Sequence, residues 1–285
     1  MQSDVTPLIL TFNEKANIER MLKPLNWARE IVVVDSGSTD GTLEILGNYQ
    51  SVRVIQRSFD DHTSQWNFGL QQIATSWVLS LDADYVLTQS IVEELLTMKL
   101  EERVVAYAVA FRYVVCGKPL RGSLYPDRVV LFRRDACRYI NNGHTQVLQV
   151  QGAVGRLKAK IDHDDRKPLT RWLDSQRAYA RLEADYLERK SLESSRWPDR
   201  LRRSIWPAAP AAFLYTLLIK GCLFDGWPGW FYALQRTYAE LLLSLELLDR
   251  RLGSSNQPQL TAQRDSNVHC PNTTVLASHD IDSRD

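Results

Sequence analysis

The sequence predicts an α/β fold of Rossmann-like kind: a mostly parallel mixed sheet flanked by helices, with a C-terminal helical extension. Three observations carry that expectation. Apolar, β-branched runs of strand length recur through the first half, at Val5–Leu10, Ile31–Asp35, Val52–Ile55 and Trp77–Leu81. Segments with helical spacing separate them. Polar and acidic residues follow the runs at once: Thr11, Asn13 and Glu14; Asp35, Ser36 and Ser38; Asp82 and Asp84. A β-α-β-α order implies right-handed crossovers, and such sheets bind ligands beyond the carboxyl ends of their strands.

Taken in order, Val5–Leu10 reads as a strand buried on both faces, and Glu14–Leu22 as the helix after it. Ile31–Asp35 is a second strand. Ser38–Leu46 opens with a helix-capping pattern, Val52–Ile55 is a third strand and Thr63–Ala74 a helix. Trp77–Leu81 runs directly into Asp82, and Ser90–Leu100 sets Ile91, Leu95 and Met98 on one helical face. From Val104 the pattern changes. Val104–Val115, Arg128–Arg133 and one or two segments within Val147–Ile161 are extended, and they complete a mixed sheet. A long polar helix follows over Thr170–Lys190. A last helix carries Leu234, Tyr238, Leu241, Leu245 and Leu248 at spacings of four and three. The division expected is a catalytic domain over 1–165, a helical region over 166–252 and a disordered tail over 253–285.

With 285 residues, 44% of them apolar and 24% charged, the chain can build one large core with an appendage. A net charge of +1 gives no reason to expect nucleic acid as a partner. Cys116, Cys137, Cys222 and Cys270 form no C-x-x-C pair and read as reduced structural thiols. The start MQSDVTPLIL has no basic segment ahead of a long apolar run, so no signal peptide is expected, and the Asn272 sequon then carries little meaning. No window has the 18 or more apolar residues of a spanning helix.

Asp82-Ala83-Asp84 is the sharpest local signal. Two carboxylates around one small residue, at the exit of an apolar strand, can offer oxygen ligands to Mg²⁺ or Mn²⁺, which also binds substrate phosphates. Acidic pairs also cap helices, and it is the other two polar strand ends that favour a site. Asp35-Ser36-Gly37-Ser38-Thr39-Asp40-Gly41 is a turn into a helix, where capping and anion binding can coexist. It is no G-x-G-x-x-G fingerprint, which argues against a nicotinamide cofactor.

Thr11-Phe12-Asn13-Glu14, VVVDSGSTDGT at Val32–Thr42, Gln65-Trp66-Asn67-Phe68-Gly69 and LSLDADY at Leu79–Tyr85 together resemble the family 2 glycosyltransferases of GT-A fold. Within that family the chain is similar to bacterial envelope enzymes of the lipopolysaccharide-core glucosyltransferase type. The resemblance covers roughly residues 5 to 165. It implies that Thr11, Asn13, Glu14, Asp35 and Ser38 line a nucleotide pocket with Asn67 near it. It also implies that Asp82 and Asp84 hold nucleotide and metal, and that an envelope or lipid-linked glycan accepts a sugar from a UDP-sugar or related donor. Leu124-Tyr125-Pro126-Asp127-Arg128 is similar to the same relatives. Asp127 is the candidate general base of an inverting transfer, and the plainer reading pairs it with Arg128 or Arg133. Where relatives show His-Glu, this chain has His144-Thr145. His144 is expected near the metal or diphosphate, and His163 is a further candidate.

Two other functions compete. A sugar-nucleotide pyrophosphorylase needs a Gly- and Lys/Arg-rich triphosphate loop, which TFNEKANIER is not. A nucleotide-binding pseudoenzyme gains from the missing glutamate and loses from the intact Asp82, Asp84 and Asp127. Finally, Arg166 to Arg203 holds eleven Lys or Arg against six Asp or Glu. At its end, Arg196, Arg200, Arg202 and Arg203 precede Ile205, Trp206, AAFLYTLLIK, Trp227, Trp230, Phe231 and Tyr232. That composition suits a cytoplasmic enzyme lying on the inner face of an anionic membrane.

Overall fold

The computed structural model of the chain describes residues 4–142, 145–191 and 195–253. His144, Cys270, the Asn272 sequon and all but the first residue of the expected tail lie outside the described residues. The chain forms two compact units, 4–119 with 124–167 and 120–123 with 168–253.

The first unit is a layered α/β structure. Strands β1 (Val5–Thr11), β2 (Ile31–Asp35), β3 (Val52–Gln56) and β4 (Trp77–Asp82) run parallel in the order β3-β2-β1-β4. Helices α1 (Ile18–Leu22), α2 (Thr42–Leu46) and α3 (His62–Gln71) connect them. After β4 come β5 (Tyr85–Leu87), α4 (Gln89–Thr97), β6 (Val104–Val115), β7 (Lys118–Pro119), β8 (Arg128–Arg133), β9 (Cys137–Asn142), β10 (Thr145–Val150) and β11 (Ala153–His163). The sheet continues β4-β8-β6-β11-β5, with β8 antiparallel to both its neighbours and β6 parallel to β11. β9 and β10 form a separate antiparallel pair. This is the mixed, mostly parallel sheet that the sequence predicts.

Alternation along β1 explains why Val5–Leu10 is almost wholly apolar, with Thr6 its one polar residue and itself buried. Val5 and Ile9 join a core layer with Val33, Leu79 and the α1 residues Ile18, Met21 and Leu22, whereas Leu8 and Leu10 face a second layer with Val32, Val34, Val78 and Trp66 of α3. α3 lies so close to β1 that a Cβ at Gly69 would stand 2.7 Å from Leu8 Cδ1.

Two expectations about elements need correction, and one strand was not expected. The helix after β2 starts at Thr42 rather than Ser38, because Asp35 holds residues 37 and 38 in a turn and Gly41 takes a left-handed φ of 99° before the helix. The helix after β1 starts at Ile18 rather than Glu14, whose carbonyl closes a turn with the amides of Asn17 and Ile18 at 2.8 Å each. Strand β9 had no sequence expectation.

The second unit is helical: α5 (Leu169–Arg189), α6 (Trp197–Arg203), α7 (Ala208–Leu214), a π-helical turn Tyr215–Ile219, a 3-10 turn Cys222–Asp225 and α8 (Trp227–Gly253). Ala184, Leu187, Ile205, Leu243 and Leu247 form its core. On the last helix, Leu234, Leu241 and Leu245 of the leucine stripe are 57%, 48% and 54% exposed. α5 and α7 pack instead on the neighbouring face of α8, where Tyr232, Ala233, Leu243 and Leu247 are buried. Among the described residues no helix is long and apolar enough to cross a membrane.

Candidate active site

The carboxyl ends of β1 and β2 meet in a hydrogen-bonded turn built on Asp35. Its Oδ1 accepts from Thr11 Oγ1 at 3.0 Å and from Ser38 Oγ at 2.5 Å, and its Oδ2 accepts from the amides of Gly37 and Ser38 at 2.9 and 2.8 Å. Asp35 and Thr11 are fully buried. Ser38 Oγ in turn accepts from the Asn13 amide at 2.8 Å, and Asn13 Oδ1 accepts from the Thr39 amide at 2.8 Å. Asn13 has a left-handed φ of 56°, which asparagine tolerates better than most residues. Four of the expected pocket residues therefore form one rigid loop pair, stitched largely by side chains to backbone.

Glu14 leads away from that turn into a second, ionic group. Its side chain is 1% exposed. Oε1 accepts from Lys167 Nζ and Oε2 from Asn17 Nδ2, at 2.8 and 2.9 Å. Lys167 is also buried, 3.6 Å from Asp165. Burial pushes the Glu14 carboxyl up to about 7, a rise that Lys167 opposes and nearby Asp84 reinforces. Burial alone would lower the Lys167 ammonium, but Glu14 and Asp165 hold it charged, above the usual lysine range.

Asp84 arrives at the same place by a different route. β5 follows the Asp82-Ala83-Asp84 turn and pairs with β11 as the far edge strand of the sheet, with Tyr85 opposite His163. The chain therefore crosses from β4 to β11 within two residues, and Asp84 Oδ2 comes to 3.3 Å from His163 Nε2. Both side chains are almost wholly buried. Asp84 Oδ1 and both ring nitrogens of His163 have no hydrogen-bond partner. Burial would raise the Asp84 carboxyl, but the His163 imidazole and the Lys167 ammonium outweigh it and hold it below the usual range. Such orphaned, buried oxygen and nitrogen atoms suit a hard divalent cation. Among the described residues no three His, Cys, Asp or Glu side chains close on one point, so the protein alone would supply only part of a coordination shell.

Asp82 does not join that pair. It is half-buried, and its charge acts on His62, Tyr85, Arg128 and Tyr139 instead. Asn67 spends its whole amide on β9: Nδ2 donates to the Tyr139 carbonyl at 2.8 Å and Oδ1 accepts from its amide at 3.0 Å. Asp127, just before β8, pairs with Arg156 of β11 rather than with Arg128 or Arg133. Arg128 lies over the Tyr125 ring at 5.3 Å, and Arg133 is 3.7 Å from Asp135. Tyr125 stacks on His163 at 4.5 Å, and its hydroxyl is 2.5 Å from that of Tyr85. These rings enclose the Asp84–His163 pair in a wall of low polarity.

The segment His163-Asp164-Asp165-Arg166-Lys167 is what the sequence reading missed, apart from His163. Asp164 accepts from Arg20 at 2.6 Å and from Arg166 at 2.8 Å, and Asp165 accepts from Asn17 at 2.9 Å. The available signal was six consecutive ionisable residues, Asp162 to Lys167, at the end of an extended segment, the same kind of mark that singled out Asp82.

Comparison with known proteins gives these findings. The family model described as glycosyl transferase family 2 matches residues 8–158. The lipopolysaccharide core biosynthesis glycosyltransferase LpsC of Rhizobium meliloti is 25% identical over 256 residues, which are 86% of this chain and 92% of that protein. An uncharacterized glycosyltransferase of Rickettsia prowazekii is 31% identical over 109 residues, 37% of each chain. A crystal structure of S. aureus TarS 1-349 in complex with UDP-GlcNAc aligns with a TM-score of 0.43 and 14% identity, covering 87% of this chain and 92% of that one.

Proposed function

The chain belongs to glycosyltransferase family 2, and from that premise we propose that it transfers a sugar, with inversion, from a uridine diphosphate sugar to an envelope or lipid-linked glycan, and that it does so with a divalent metal. The observation that carries this reading is the buried Asp84–His163 pair, with Asp84 Oδ1 unpartnered, at the exit of β4. Asp84 and His163 would hold the cation, with Asp82 reaching it through water or the nucleotide. When bound, the cation neutralises charge on the departing diphosphate.

The chain's own residues account for the rest. Asp35 has both oxygens committed to its turn, so it shapes the nucleotide pocket, while the loop at Asn13 and Ser38 offers the contact surface. Lys167, held charged beside Glu14, adds positive potential near the diphosphate. Asp127 takes the acceptor hydroxyl's proton as the sugar moves, and the exposed Arg156 guanidinium must yield one carboxylate oxygen for it to do so. Asn67 supports the pocket indirectly by fixing α3 to β9. The acceptor class follows the name of the Rhizobium relative, which aligns along nearly its whole length.

The test is release of UDP from a panel of UDP-sugars with lipopolysaccharide-core or lipid-linked acceptors, in Mn²⁺ and in excess chelator. Activity should need the metal, and Asp84→Ala should abolish it while circular dichroism shows that the variant still folds. Full turnover in chelator, or near-normal turnover of Asp84→Ala in Mn²⁺, would overturn the metal assignment.

A further inference from the structure

Between Ser204 and Gln235 the only charged residues are Lys220 and Asp225. This stretch makes α7, the π-helical turn, the 3-10 turn and the start of α8, which pack on one another. A segment so apolar would ordinarily be interior. Instead Leu218, Ile219, Phe224, Trp227 and Trp230 are 58%, 71%, 69%, 52% and 42% exposed. Contiguous exposed aromatic and aliphatic side chains of this size mark a surface that meets another phase or partner.

The charges beside the patch are all of one sign in effect. Arg121 lies over the Phe224 ring at 5.8 Å, and Lys220 over the Tyr215 ring at 5.7 Å. Asp225, nearly buried, is spent on Arg121: its Oδ2 accepts from the Arg121 amide at 3.0 Å and its Oδ1 is 3.3 Å from the guanidinium. Arg121 itself remains 68% exposed. Of the four arginines that the sequence singled out for this role, Arg196 and Arg200 are exposed, while Arg202 and Arg203 are turned inward. Arg202 binds Glu183 and Glu240, and Arg203 donates to the carbonyls of Leu187 and Lys190. Ile205 and Tyr232, also singled out, are buried.

We propose that this face, Leu218 to Trp230 with Arg121 and Lys220, is a docking surface for an anionic lipid bilayer. Indole and phenyl rings settle at the depth of the headgroups, aliphatic side chains reach past them, and the adjacent cations meet lipid phosphates. The segment is too short to span, so it lies in the interface. A second copy of the chain fits less well. A two-fold contact would set the patch against itself, bringing Arg121 and Lys220 of both copies together with Asp225 already engaged. The proposal does not depend on the transfer chemistry, since lipid binding is read without donor or acceptor.

The test is co-sedimentation of the full-length chain with vesicles of phosphatidylcholine alone and with one-quarter phosphatidylglycerol, at low and high salt. Binding should appear with the anionic vesicles, weaken in high salt and be small on the neutral ones. Phe224→Ser with Trp227→Ser should weaken it roughly tenfold or more, by loss of buried apolar area. Leu245→Ser with Leu252→Ser, replacing equally exposed leucines further along α8, should bind like the parent. Circular dichroism melts would establish that both variants fold. Failure of the parent to sediment, or equal loss in both variants, overturns the proposal. A dimer by light scattering that Phe224→Ser with Trp227→Ser dissociates, without vesicle binding by the parent, assigns the face to a second copy instead.

Discussion

Glu14 and Asp84 carry like charges into one buried space, and the fold answers their repulsion by treating them differently. Asp84 is kept ionised by His163 and Lys167, while Glu14 is pushed up to about 7, chiefly by burial. A carboxyl whose folded value exceeds its unfolded one stabilises below the unfolded value and withdraws that stability as pH rises through the folded one. Glu14 should therefore cost the fold roughly 2–3 kcal/mol between about pH 4.5 and 7. Asp84 acts in the opposite sense, losing its contribution as pH falls below the ordinary aspartate range. Urea melts at pH 5 and pH 7 read the first effect: the drop across that interval should flatten in Glu14→Gln, and an undiminished drop would remove Glu14 as its cause. At Asp127 the expected effect is kinetic. Asp127→Asn keeps the shape but cannot take a proton, so kcat should fall about 10²–10⁴-fold with donor binding nearly unchanged. If turnover is retained, Asp135 and Asp162 are the next carboxylates to replace, although Asp162 is already held by Arg112 at 2.7 and 2.8 Å.

At the scale of elements, the close seating of α3 on β1 makes a sharp demand. Gly69→Ala would drive a methyl group into Leu8, which is fully buried, and should cost about 1–3 kcal/mol by overpacking. Equilibrium denaturation measures it, and a neutral or stabilised variant would mean that α3 has room to shift. β1, β2 and β4 were legible in the sequence because each is buried on both faces and so contains little that is polar, and β3, half-buried at the edge, was legible from its β-branched residues. The helices between them were legible to within a few residues, and their starts were misjudged where a side chain competes with the backbone, as Asp35 does. β9 left no signal, since Cys137–Asn142 mixes polar and apolar residues without alternation and is fixed by long-range contacts such as Asn67 to Tyr139. On α8 the spacing identified a helix but not which face is buried, because periodicity reports an apolar stripe and not what covers it. In the site, the local carboxylate motif was visible. Its partner His163 was only one isolated histidine among five, since nothing local reveals that β5 crosses the sheet to β11.

For the whole molecule, the helical unit rests on an ionic node of its own. Arg202 donates to Glu240 at 2.8 Å and to Glu183 at 3.1 Å, with all three side chains largely buried. Arg202→Ala would leave two carboxylates facing each other without a cation, and should cost about 3–5 kcal/mol. Hydrogen exchange should then quicken in α5 and α8 while the amides of β1, β2 and β4 keep their protection. Equal loss in those strands would show that the units do not open separately. The crossing of β5 to the far edge has a consequence for synthesis. A ribosome delivers β1, β2, β3 and β4, with the whole Asp82-Ala83-Asp84 turn, well before residues 163–167 exist. Until they emerge, Asp84 has no imidazole beside it, Glu14 has no ammonium to meet, and β5 has no strand to pair with. The nascent chain thus holds this acidic loop incomplete until the rest of the sheet has been made, and the site is closed by almost the last residues of the sheet.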